Sequence, residues 1–142
     1  MKKTLSLTLA FALSLSLLTV PAGATGGGTA YASTQAVLVD GKAVTFQAYA
    51  LKDANGNDTN YVKLRDLAQV LNGTAVQFEV GWDGSVNIET GKSYTSNGSE
   101  MKTPFSGNRA YSPATAPTNI NGSPAALEAI VLLDDNGGAY PY

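Results

Sequence analysis

The chain has 142 residues, no histidine, no cysteine, and 9 basic against 11 acidic side chains, for a net charge of −2. Imidazole general bases, thiol nucleophiles, His/Cys zinc sites and disulfide bracing are thereby excluded. Lysines and arginines stand singly among acids, without the positive stripe that a nucleic-acid surface requires.

Lys2 and Lys3, an apolar run from Leu5 to Val20, and then Pro21 with small residues follow the three-part order of a secretory signal. Residues 1–32 are therefore expected to be a cleaved leader, and the mature protein to be secreted or at the cell surface, with no membrane attachment afterwards. The run is shorter than the ~20 apolar residues of a membrane span and is diluted by Ser and Thr. Two Ala-x-Ala sites compete, Ala22-Gly23-Ala24 and Ala30-Tyr31-Ala32. The second directly precedes the first strand-like pattern and is the expected cut, leaving 7 basic and 11 acidic residues and a net charge of −4.

From Ala36 to Leu51 apolar residues alternate about Asp40-Gly41, a strong two-residue turn signal, which predicts a hairpin. The polar cluster Asp53 to Asp58 predicts a second turn. After Tyr61 the period lengthens: Leu64, Leu67, Ala68 and Leu71 share one face of a short helix that Gly73 is placed to end. Val76, Phe78 and Val80, a turn at Gly81-Trp82-Asp83-Gly84, and Val86 with Ile88 predict another hairpin. The expected class is α+β, a small antiparallel sheet of two hairpins packed on one short helix. Residues 95–117, rich in Ser, Gly and Pro, read as a linker and leave a flexible C-terminal segment.

Residues 118–142 read as a partial second repeat. Val39-Asp40-Gly41, Phe46, Leu51, Asp53, Asn55 and Gly56 match Ile120-Asn121-Gly122, Leu127, Leu132, Asp134, Asn136 and Gly137 at an offset of 81. Tyr142 is matched to Tyr61 by position.

Asn60-Tyr61-Val62-Lys63-Leu64-Arg65-Asp66-Leu67-Ala68, followed by Gly81-Trp82-Asp83 and Val86-Asn87-Ile88, resembles the copper amine oxidase-like N-terminal domain, or stalk domain, of secreted Gram-positive bacterial proteins. The resemblance covers residues 34–94 and rests on Tyr61, Leu64, Arg65, Asp66, Leu67, Trp82 and Asp83. It implies a fold and no chemistry, because the metal and quinone of the oxidases lie in other domains. No cofactor, no metal and no enzymatic activity are expected.

Candidate chemistry is sparse. Glu79, Asp83, Glu89 and Asp66 are carboxylates of the kind a glycosidase pairs, although turns and solvated faces explain them better. Asp53-x-Asn55-x-Asn57 begins like a calcium loop, but Asp58 and Leu64 stand where Gly and a bidentate Glu belong. Trp82, Tyr61 and Tyr94 are the candidate glycan-stacking residues. The leading expectation is a secreted stalk or spacer module that presents other domains of the same protein. The alternatives are a cell-wall or polysaccharide binding module and a non-catalytic fragment of a larger secreted enzyme.

Overall fold

The computed structural model describes residues 27–103 and 105–142, so most of the expected leader, residues 1–26, lies outside it. Among the described residues, ten strands and one helix follow in chain order. They are β1 (Gly28–Val39), β2 (Lys42–Lys52), β3 (Asp58–Tyr61), α1 (Leu64–Leu71), β4 (Phe78–Trp82) and β5 (Val86–Thr90). Then come β6 (Arg109–Pro113), β7 (Thr118–Ile120), β8 (Ser123–Ala125), β9 (Ile130–Leu133) and β10 (Ala139–Pro141).

The hairpin turns form where the backbone chemistry allows. Asp40 and Gly41 take φ of 48° and 75°, and Asn121 and Gly122 take 50° and 80°, the left-handed pair of a two-residue hairpin turn. Helix α1 buries Leu67, Ala68 and Leu71 on one stripe and stops at Asn72, with Gly73 at φ 81°.

The α+β expectation is overturned. Strand makes up 48% of the described residues and helix 7%, and the two hairpins do not share a sheet. β1, β2 and β3 belong to a six-stranded sheet ordered β10-β9-β6-β1-β2-β3, while β4 and β5 join a four-stranded sheet ordered β4-β5-β7-β8. The segment expected as a linker supplies β6, and residues 118–142 supply four more strands to the two sheets. Their strands are short and interrupted by Ser, Asn and Pro, so the alternation that marks a strand is never sustained long enough to read.

The pairing registers of the two ends of the chain coincide. β1 pairs with β2 so that Tyr31 meets Ala50 and Val37 meets Val44. At the offset of 81, Tyr111 of β6 meets Leu132 of β9, and Thr118 of β7 meets Ala125 of β8, in that same register. Tyr49↔Tyr61 of β2 and β3 has its counterpart in Ile130 and Tyr142, which exchange backbone hydrogen bonds of 2.9 and 2.8 Å. The offset therefore continues beyond the turn to the last tyrosine. In the second segment each long strand is divided, and the tip hairpin β7-β8 leaves the first sheet to pair in parallel with β5.

The two segments meet at β1 and β6, where Gly28, Thr29 and Ala30 pair with Tyr111, Ala110 and Arg109. Thr29 and Ala110 are themselves 81 residues apart, so the junction has the reciprocity of an isologous contact about a local two-fold. The larger core follows the same correspondence. It gathers Ala30 with Tyr111, Tyr49 with Ile130, Leu51 with Leu132 and Tyr61 with Tyr142 under the curled sheet. Tyr49 packs edge-on against Tyr142 at 5.3 Å between ring centroids and Phe105 at 5.9 Å. Two smaller clusters seat α1, one against Val39 and Phe46 at the β1-β2 tip and one against Val80 and Tyr94.

Candidate functional site

The three aromatic candidates do not share a surface. Tyr61 is buried, and its hydroxyl donates to Glu128 Oε1 at 2.6 Å. Burial, and secondarily the Glu128 carboxylate, push its ionisation well above the usual tyrosine range. Tyr94 is buried beside α1 and donates to Glu100 Oε1 at 2.5 Å, while its backbone is held from both sides by Asn72. Only Trp82 reaches solvent, with 63% of its surface exposed at the end of β4.

Trp82 stands at a shallow groove of about 420 Å³ across β4 and β5. The floor comes from strand alternation: Glu79 lies opposite Glu89, and Gly81 lies opposite Asn87. Asp83 and Lys92 complete the polar wall. Gly81 carries no side chain to fill the centre, where an added Cβ would meet Asn87 alone, its Cβ at 3.8 Å and its carbonyl oxygen at 4.0 Å.

Electrostatics in the groove are mostly settled locally. Glu89 is paired with Lys92, which relieves the like-charge contact with Glu79 across the hairpin. Burial works to raise the Glu79 carboxyl, but hydrogen bonds from Thr95 and from the Val80 N–H outweigh it and leave the group below the usual carboxylate range. Asn119 donates to Asn87 at 3.0 Å, and Asn87 donates to Asp83 at 2.8 Å, a side-chain relay linking β7, β5 and the turn. Three carboxylates and one ammonium line the site, so its field is negative.

The stalk-motif residues act in packing. Leu64 opens α1 and packs against the Ala68, Val80 and Tyr94 cluster, while Leu67 packs on Val39 and Phe46. Arg65 donates to the Tyr94 hydroxyl at 3.3 Å. Asp66 is only 2% exposed, pairs with Lys63 at 3.2 Å and accepts from the Met101 N–H at 2.8 Å. Asp83 caps the β4-β5 turn by accepting from the Ser85 N–H. Asp53 uses its carboxylate on its own loop, accepting from the N–H groups of Asn55 and Asn57, and Asp134 does the same for Asn136 and Gly138.

Glu100 is a centre that sequence reasoning passed over. This buried carboxylate accepts from Tyr94, from Ser96 Oγ and from the N–H groups of Asn97 and Gly98. Burial works to raise it, but these donors together hold it far below the usual carboxylate range. In the sequence it lies inside the Ser/Gly/Pro-rich stretch 95–117 that reads as a linker.

No protein-family model matches the chain, and no curated protein or solved structure matches it. No helix of the described residues is long and apolar enough to cross a membrane.

Proposed function

We propose that this chain is an exported, non-catalytic stalk or spacer module, in which residues 28–61 and 109–142 are copies of one repeat, presenting neighbouring domains at a bacterial cell surface. The observation that carries this reading is the shared register of the two segments and their reciprocal junction at β1 and β6. Such a junction is closed by its own two-fold, so the two copies complete one unit, and a longer stalk is built from further such units in series. The resemblance of residues 34–94 to stalk domains and the export-type leader support the same reading. Joining two copies of residues 27–142 end to end tests it. A spacer responds with a longer particle of unchanged cross-section in small-angle scattering; a particle that thickens without lengthening would overturn it.

Exposed Trp82 beside the carboxylate-lined groove favours a second reading, a binding module for neutral or amino-sugar wall glycans. The negative field disfavours anionic polymers. Because Trp82 is the single tryptophan of the chain, its fluorescence reports the groove directly. Titration with chitooligosaccharides should shift the emission, and retention on purified peptidoglycan should disappear in Trp82→Ala. A flat titration and no retention leave the spacer reading alone.

A further inference from the structure

The outer edge of β7 is occupied by β5, and the matching edge of β1 has no partner strand among the described residues. In the occupied case, the Val86 N–H donates to the Pro117 carbonyl at 2.8 Å and the Asn121 N–H donates to the Ile88 carbonyl at 2.8 Å. The positions 81 residues earlier are Ala36 and Asp40, both exposed. β1 pairs with β2 along Tyr31–Val39 on one side, but with β6 only over Gly28–Ala30 on the other. A two-residue turn makes Val39 and Lys42 the bonded pair, so alternation aims the N–H and C=O of Leu38 outward. The Leu38 side chain is 51% exposed.

A second observation distinguishes this edge. The outermost strands of the two sheets each carry a charge or a proline: Asp58 on β3, Pro141 on β10, Glu79 on β4 and Pro124 on β8. These are the devices that discourage edge pairing. Within the strand itself, Ser33 to Val39 contains neither, and the charge nearest the site is Asp40 in the turn that ends it.

We propose that the β1 edge from Ala36 to Asp40 is a docking site for a parallel strand of β5 type supplied by another polypeptide, an instance of strand addition. Side-chain chemistry narrows the partner. In the internal interface Asn119 faces Asn87 and donates to it, whereas Leu38 stands at the Asn119 position of the β1 edge. The incoming strand therefore carries an apolar residue where β5 has Asn87, giving a run such as Val-Val-Ile. This inference rests on the two segments being one repeat, but not on how many copies extend a spacer.

The test uses the full chain and two synthetic peptides, one with the sequence Ser85–Gly91 and one with the Asn87→Val change, both with lysine tails for solubility. The apolar peptide should slow amide hydrogen exchange at Leu38 and Asp40 by at least tenfold and bind more tightly than the unchanged sequence. Leu38→Lys, on an exposed side chain, should abolish binding while leaving the thermal midpoint unchanged. Absence of protection at Leu38 and Asp40, protection confined to another edge, or preference for the Asn peptide would overturn the proposal. Failure of the joined chain to lengthen would leave these peptide results standing, so the two readings fail separately.

Discussion

Asp66 and Glu100 show how a chain without cysteine holds a loop against a helix. Asp66, in the first turn of α1, takes the Met101 N–H, and Lys63 adds bonds to the carbonyls of Ser99 and Lys102. Met101 adopts φ 57°, an uncommon conformation for a residue with a side chain, fixed here by the neighbouring bonds. Replacing Asp66 by Ala removes a buried charged acceptor from the Met101 N–H and from Lys63 and should lower stability by about 1.5–3 kcal/mol, read from denaturant unfolding. Arg65→Ala, which removes one longer bond to Tyr94, should fall well below that.

Glu100 also sets a pH dependence. Its folded-state ionisation is depressed below the ordinary value of 4.5, so the unfolded chain binds the proton first. The stability it contributes is complete above the unfolded value and is lost as pH falls below 4.5 towards the folded one. Asp53, Glu79 and Asp134 are shifted in the same direction. Unfolding midpoints measured from pH 6 down to pH 2 should decline, and Glu100→Gln should flatten part of that decline while lowering stability at pH 6.

Among the elements, β1 has consequences for processing. A cut after Ala32 would remove Gly28 to Ala30, the residues that join β6, and with them the fully buried Ala30. A cut after Ala24 leaves β1 whole. Exported protein should therefore begin at Thr25, as read by intact mass, and a chain begun at Ser33 should unfold at lower temperature. Gly27 sharpens the point, because a Cβ there would stand 2.1 Å from the Tyr111 carbonyl oxygen. Gly27→Val should consequently open the same junction.

The elements readable in the sequence are those with sustained patterns. The β1-β2 hairpin announces itself by alternation about Asp40-Gly41, α1 by its Leu64, Leu67, Ala68 and Leu71 spacing, and β4-β5 by Val80 and Ile88. What stayed hidden was the partner of each. β6 reads Arg-Ala-Tyr-Ser-Pro, with no apolar face of its own, and is a strand because β1 and β9 lie on either side. Trp82, Tyr61 and Tyr94 look alike in the sequence until packing decides which are covered, and of the three only Trp82 stays exposed. The matching turns Asp53 to Asn57 and Asp134 to Gly138 were visible as similar strings, while their identical bonding needed coordinates.

On the scale of the whole molecule, two segments in one register make a single curled sheet whose interior is shared between them. Tyr61 and Tyr142 close that interior from its two outer strands, and neither segment contributes a complete core. Unfolding should accordingly be a single transition monitored at Trp82 and at the tyrosines alike.

The coincidence of register also means that the chain carries two interchangeable answers to one pairing problem. β1 fits β9, and β6 fits β2, with the same residue-to-residue alignment that joins the native pairs. Contacts between segments 81 residues apart form late, after much chain entropy has been lost. During that interval two molecules can trade segments without any mismatch to reject the exchange. Refolding at high protein concentration should yield intertwined dimers that dilution alone does not quickly resolve, whereas refolding at low concentration should return the monomer.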